Sequence, residues 1–315
     1  MDRTEVEVEA GGTRFFVRLF AARGSRRSPE GGSGPDGGDD LALLLHGWPQ
    51  DGTAWRAVVP HLVAAGYRVA CPDLKGFGRS STPVRGYDAQ TLADEISQLI
   101  RGLDARKAVL VGHDWGGAVA LATAFRHPGR VRALVVASSP FRQLDLVRAW
   151  HIPLLNLPVA PAVAFRVAPG PLVRAAVRYA ARVHSPFDDV TLDGYTAAVA
   201  VRPRAWLSYY RTLSRRALLD WAVRRVRRGA PFVRDPAGPH RLRVPVAVVW
   251  GERDPVTPVS LGRRVAHDLD AELVLVPGVG HFVPEEAPEA MGAAITALAG
   301  PATAASAGTP DERAG

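Results

Sequence analysis

The chain is poor in the residues that staple or anchor proteins. Its 315 residues include one cysteine, Cys71, so no intramolecular disulfide can form and Cys-based metal motifs are excluded. Lysine is nearly absent: of the 39 lysines and arginines, Lys75 and Lys107 are the two lysines and all the others are arginine. Long apolar runs are missing as well. The least polar stretch, 152–173, carries five prolines and Arg166, which argues against a membrane span. The start, Met1-Asp-Arg-Thr-Glu-Val-Glu-Val-Glu9, is charged and lacks the apolar segment of a secretory signal. The expectation is a cytoplasmic protein with no membrane partner.

Negative charge is scarce in the middle of the chain. Residues 141–243 hold 18 Arg against 6 Asp, about +12, so with a formal charge of +8 overall the remainder is about −4. The run Arg224-Arg-Val-Arg-Arg228 suits nucleic acid, but no nucleic-acid fold motif accompanies it. An Arg-rich, Ala-rich bias on a solvated helix face accounts for it, and no nucleic-acid partner is expected.

What is present is a core. At 47% hydrophobic, the chain can bury one α/β domain with an inserted subdomain. Val6-Glu-Val8 and the alternating run 14–20 predict a hairpin around Gly11-Gly12. Residues 23–40, rich in Gly, Ser, Pro and Asp, predict a mobile loop. Apolar runs at 41–45, 67–71, 109–111 and 131–137 predict buried strands, with helical spacing over 53–65, 91–101 and 115–125 between them. From about Pro140 no strand-like run appears for roughly a hundred residues. Pro-interrupted helical segments carry Trp150, Trp206, Tyr209, Tyr210 and Trp221 instead. Strands resume at 244–250 and 272–276, before a last helix over 287–298 and a small, polar tail expected to be disordered over 299–315. The organisation is an α/β core over 1–140 and 241–298, interrupted by a helical cap over 141–240.

The stretch that organises the chemistry is Val109-Leu-Val-Gly-His-Asp-Trp-Gly-Gly117. It reads as strand, sharp small-residue turn, helix, with Asp114 at the tip of the turn. A hydroxyl there suits acyl transfer at a carbonyl. A carboxylate suits attack on a saturated carbon bearing a leaving group, giving an alkyl ester of the enzyme. Hydrolysis of that ester needs a base and an orienting acid. Trp250-Gly-Glu-Arg-Asp-Pro255 places Asp254 just past a strand, and Gly278-Val-Gly-His-Phe282 places His281 past the next. Two backbone N–H groups, of Trp115 and of Trp48 in His46-Gly-Trp-Pro49, are the expected oxyanion hole.

Taken with Asp73-Leu-Lys-Gly-Phe-Gly-Arg-Ser80, these motifs resemble the epoxide hydrolase branch of the α/β-hydrolases, from about 4 to 298 with the cap as the weakest part. The resemblance implies a mostly parallel eight-stranded sheet under a helical cap, and water addition to an epoxide through an Asp114 ester without cofactor or metal. It implies proton donors from the cap. Tyr210 in Trp206-Leu-Ser-Tyr-Tyr-Arg211 resembles the second of two family tyrosines, favoured over Tyr209 by the Arg211 that follows. His151 stands where the first is expected, a departure that ties the pH profile to a group titrating near neutrality. His46, Pro49, Trp150, Tyr209 and Phe282 are the expected pocket lining. The expected partners are a small hydrophobic epoxide and water, in a monomer or homodimer.

Four alternatives compete. Haloalkane dehalogenases share Asp-Trp at the elbow, but commonly have Asn where this chain has Trp48. Fluoroacetate dehalogenases have a pocket similar to Trp150-His151, but carry Arg where this chain has Trp115. A non-catalytic binding module is the other class, although folding does not require Asp, Asp and His at three strand ends. Neither Ser80 nor Ser138 sits at an elbow, which disfavours a serine esterase.

Overall fold

The computed structural model describes residues 1–21, 41–140, 149–214 and 242–301. The expected loop at 23–40, the Arg224-to-Arg228 run with Trp221, and the tail from 302 onward lie outside the described residues. Strands β1 (Asp2–Ala10) and β2 (Thr13–Ala21) form the hairpin around Gly11-Gly12. β3 (Leu41–Leu45), β4 (Arg68–Pro72), β5 (Ala108–His113), β6 (Val131–Ala137), β7 (Val246–Gly251) and β8 (Glu272–Val276) complete an eight-stranded sheet. Its order is β1-β2-β4-β3-β5-β6-β7-β8, antiparallel at β1/β2 and β2/β4 and parallel elsewhere. β3 and β5 are buried throughout, which is why they read as continuous apolar runs. They also flank the switch point, since β3 leads to β4 on one side while β5 pairs on the other. A crevice beyond the carboxyl ends of two such strands is where parallel sheets hold ligands.

The helices pack on the sheet's faces. One expectation needs correction: 53–65 is not a single helix. Gly52–Trp55 forms a 3₁₀ turn and α1 (Val59–Ala64) starts afresh, with Pro60 in its first turn. Proline has no N–H to donate and clashes with the preceding turn, so helical spacing there could not become one continuous helix. α2 (Ala89–Gly102) begins at Asp88, whose carboxylate accepts the Thr91 N–H at 3.0 Å. α3 (Trp115–Arg126) follows β5 and is buried for its first ten residues.

Between β6 and β7 the described residues form α4 (His151–Leu155), α5 (Ala160–Val167), α6 (Pro169–Ala180), α7 (Asp189–Ala200) and α8 (Pro203–Leu213). Trp206 of α8 is their anchor. It is fully buried, donates its indole N–H to the Val199 carbonyl at 2.9 Å, and packs edge-on against Phe165. These helices bond to loops that leave the carboxyl ends of the strands. Gly78 donates to the Ala198 carbonyl at 3.2 Å, the Tyr209 hydroxyl to the Lys75 carbonyl at 3.1 Å, and the His281 N–H to the Ala180 carbonyl at 3.0 Å. The insertion therefore sits over that edge of the sheet. After β7 come α9 (Val259–Leu269), α10 (Val283–Glu286) and α11 (Pro288–Ala299).

Candidate active site

β5 gives way to α3 at Asp114, whose φ is +49°. A non-glycine residue in that region is strained, and here the strain projects the carboxylate from the tip of the strand. The turn is held from three sides. The Asp114 N–H donates to the Ala137 carbonyl at 3.1 Å, and its carbonyl accepts the Gly117 N–H at 3.0 Å and the Ser139 hydroxyl at 2.7 Å. The close approach of α3 to β3 needs glycine: a Cβ on Gly116 would lie 2.2 Å from the Leu45 carbonyl oxygen.

Asp114 Oδ2 accepts the Trp48 N–H at 3.0 Å, and the Trp115 N–H also bears on the carboxylate. These are the two groups expected as an oxyanion hole. The loop that brings Trp48 passes so close that a Cβ on Gly47 would meet Asp114 Cβ at 2.5 Å. Its Trp48–Pro49 peptide is cis. Burial pushes the Asp114 carboxyl above its ordinary value, against the opposing pull of His281 and the two N–H groups.

His281 lies past β8, with Nδ1 2.9 Å from Asp254 Oδ2. Asp254 is saturated with donors. Its Oδ1 accepts the N–H groups of Val256 and Thr257, both at 2.8 Å, and Oδ2 the Thr257 hydroxyl at 2.5 Å. Burial alone would raise the Asp254 carboxyl, but His281 and Thr257 hold it below its ordinary value. Burial likewise works against a charged imidazole, yet Asp254 and Asp114 lift His281 to about 9. The three groups form one electrostatic unit, in which both acids favour the charged form of His281 and His281 in turn favours the charged form of each acid.

A cavity of about 30 Å³ opens onto Asp114 and is lined by Trp115, Ala149, His151, Ile152 and Tyr210, among others. Tyr210 is 3% exposed, its ring 4.7 Å from Trp115 and 6.3 Å from His151. Burial and then the Asp114 charge push its hydroxyl well above its ordinary value, against a smaller opposing pull from Trp115, so it stays protonated. His151 departs from expectation. Burial, with the His281 charge adding, pulls it down to about 4, so it is neutral near pH 7 rather than titrating there.

None of His46, Pro49, Trp150, Tyr209 or Phe282 is among the residues that line the cavity at Asp114. His46 is buried beneath the loop, donating from Nδ1 to the Gly47 carbonyl at 2.8 Å and accepting the Leu74 N–H at 2.9 Å. Pro49 is buried, and Phe282 packs edge-on against the His281 ring at 5.4 Å. Tyr209 faces the core, and Trp150 faces out, 55% exposed. Adjacent residues on a helix point about 100° apart, so only one of Tyr209 and Tyr210 can face the carboxylate.

With this geometry in view, the comparisons are specific. Residues 42–288 match the alpha/beta hydrolase fold family. The chain belongs to the α/β hydrolases. Epoxide hydrolase 3 of Xenopus tropicalis is 25% identical over 298 residues, 90% of this chain and 74% of that protein. Epoxide hydrolase B of Mycobacterium tuberculosis is 38% identical over 126 residues, 39% of this chain and 35% of that protein. The crystal structure of epoxide hydrolase A from Mycobacterium thermoresistibile shares the fold, with a TM-score of 0.73 and 24% identity over 94% of this chain and 98% of that one.

This α/β hydrolase also uses residues that sequence reasoning missed. Glu286 accepts four N–H groups, of Gly280, Phe282, Arg182 and Val183, at 2.7 to 2.9 Å, and so shapes the loop carrying His281. His113 donates from Nε2 to the His281 carbonyl at 2.9 Å, with burial and the His281 charge drawing it down to about 3. Its place directly before Asp114 was the available signal. Thr257 and Glu286 had none, since Thr257 acts through a tight local turn and Glu286 through backbone N–H groups that only the fold brings together.

Proposed function

We propose that this α/β hydrolase adds water to epoxides, giving vicinal diols by way of an alkyl ester on Asp114. The observation that carries this reading is a half-buried carboxylate at the strained elbow, sharing a cavity with the protonated hydroxyl of Tyr210. Two relatives that bear the name epoxide hydrolase support it. In this reading Asp114 attacks an epoxide carbon, the C–O bond breaks, and the ring oxygen leaves as an alkoxide. Tyr210 donates to that oxygen as charge develops, with the neutral His151 N–H as a second donor. Without such donors the leaving group would be a bare alkoxide in a dry site.

Water then attacks the ester carbonyl. His281 takes its proton, Asp254 holds the imidazole in the required tautomer, and the Trp48 and Trp115 N–H groups receive the oxyanion. One link makes the steps sequential. Asp114 helps to hold the His281 proton, and esterification removes that charge, so His281 releases that proton to the new alkoxide by way of the Tyr210 hydroxyl and water, and is a neutral base once there is an ester to hydrolyse. The helices inserted between β6 and β7 act as a cap over 141–240, on a core of 1–140 and 241–298.

The test is intact-mass spectrometry of His281→Gln, incubated separately with a small aryl epoxide and a bromoalkane. Ester formation should survive and its hydrolysis stop, giving an adduct on Asp114 with the mass of the whole epoxide. An adduct that has lost bromide, with none from the epoxide, would reassign the protein to dehalogenation. A folded variant that takes up neither would overturn the ester mechanism.

A further inference from the structure

Large apolar side chains that the described residues leave exposed are not scattered. Six of the eleven, Trp150, Leu154, Leu157, Val159, Val163 and Val167, fall within one stretch spanning α4 and α5. α5 is two-faced. It buries Pro161, Ala162 and Phe165, while Val159, Val163 and Val167 recur every fourth residue on the outside, Val167 at 78% exposure. α4 does the same in miniature, turning Ile152 and Leu155 inward and Leu154 outward.

The charge around this face is of one sign. No Asp or Glu occurs at 149–187 or 194–214, which together hold seven arginines. Four of them, Arg166, Arg202, Arg204 and Arg211, line a groove of about 680 Å³ beside α5. Val84, 91% exposed, Val163 and Val201 line it too. None of the four arginines forms an ion pair with a described carboxylate. Arg211 is fixed by bonds to the carbonyls of Leu157 and Pro158 at 3.0 and 3.1 Å.

We propose that this face, made by α4, α5, the start of α8 and the loop at 82–84, docks on the surface of an anionic lipid bilayer. The aliphatic side chains and Trp150 would enter the acyl boundary, and the arginines would sit at the level of the phosphates with their stems along the apolar layer. Among the described residues no helix is long and apolar enough to cross a membrane, so the contact is face-on. The expectation of no membrane partner rested on the missing span, which such a contact does not need. Charge argues against other occupants. A second copy would set arginine against arginine, and residues 215–241 of this chain carry eight Arg against Asp220 and Asp235. An anionic bilayer supplies an apolar layer and a uniformly negative plane together. The same face adjoins the site, because His151 and Ile152 of α4 line the cavity at Asp114. The inference does not depend on which reaction occurs there.

The experiment is co-sedimentation of the full chain with phosphatidylglycerol/phosphatidylcholine vesicles and with phosphatidylcholine vesicles alone. Binding is expected to the anionic vesicles. Each arginine near such a surface is worth about a fivefold change in partitioning, so Arg166→Ser with Arg204→Ser should lower it roughly 30-fold. Val159→Ser, Val163→Ser and Val167→Ser together change no charge and should lower it by roughly tenfold or more. Arg101→Ser with Arg263→Ser, on exposed core helices, removes the same formal charge and should leave it within about twofold. Far-UV circular dichroism confirms that each variant is folded. Equal losses in the two arginine pairs would reduce the binding to net charge and overturn the proposal. So would an unaffected valine triple. No vesicle binding by the folded protein would overturn it as well and turn the search to a protein partner.

Discussion

Asp254→Asn separates the two chemical steps. In the folded protein His281 holds its proton to about 9 against an ordinary 6.5. That difference corresponds to roughly 3 kcal/mol in favour of the imidazolium. Asp254 supplies the largest favourable part of it, while burial opposes it. With Asn in its place, Oδ1 can still accept the N–H groups of Val256 and Thr257, so the loop keeps its shape. The amide NH₂ would then face Nδ1 and select the tautomer that carries the proton on Nε2. An imidazole so protonated cannot accept a proton from water. Ester hydrolysis should fall by about 10³- to 10⁴-fold, while ester formation slows much less. Rapid-quench kinetics with intact-mass detection would show a burst of ester near one per chain, followed by slow release.

The same substitution has a thermodynamic signature. A histidine whose pKa is raised by folding contributes stability that is complete below about 6.5 and is lost as pH rises through about 9. Urea denaturation should show wild type losing roughly 3 kcal/mol relative to Asp254→Asn between those limits. Equal slowing of both steps, or a pH dependence of stability unchanged by the substitution, would refute the reasoning.

Two further outcomes follow from the site. Tyr210→Phe should lower kcat for an epoxide by about 10²-fold with the fold intact, since it removes a donor to the developing alkoxide. Tyr209→Phe should leave kcat nearly unchanged and lower stability by about 1 kcal/mol through the lost bond to the Lys75 carbonyl, a contrast that steady-state kinetics and thermal melts would resolve. Gly47→Ala should depress ester formation by at least about tenfold, because its Cβ would meet Asp114 Cβ at 2.5 Å and force the nucleophile or the Trp48 N–H out of place.

Much of the molecule was legible because its central strands are buried on both faces. Runs such as Leu41 to Leu45 and Val131 to Ala137 have no alternation to misread, and Gly or Pro punctuates their ends. Asp114, Asp254 and His281 were legible because each follows a strand within a distinctive turn. Which side chains face the small cavity at Asp114 was not. Whether a residue faces a cavity depends on the rotation of its element, and α8 shows how little separates the outcomes: Tyr210 meets Trp115 while Tyr209 bonds to Lys75. The electrostatics of His151 were hidden for a related reason. Its type suggests a group titrating near neutrality, whereas burial, a property of the folded neighbourhood, takes it to about 4. Helical spacing over 53–65 misled because it does not register that Pro60 tolerates only a first turn.

The loop of His281 has two owners. Its backbone N–H is spent on the carbonyl of Ala180, at the end of α6, and Glu286 divides its acceptors between Gly280 and Phe282 of that loop and Arg182 and Val183 just after α6. Exchanging the inserted helices for those of another hydrolase is thus not a modular operation. A chimera joined before residue 180 keeps these bonds. One joined after 183 must supply a carbonyl and two N–H groups at the same points, or its base will be displaced however well the new helices pack. The seam for engineering substrate range lies inside α6, not at the ends of the insertion.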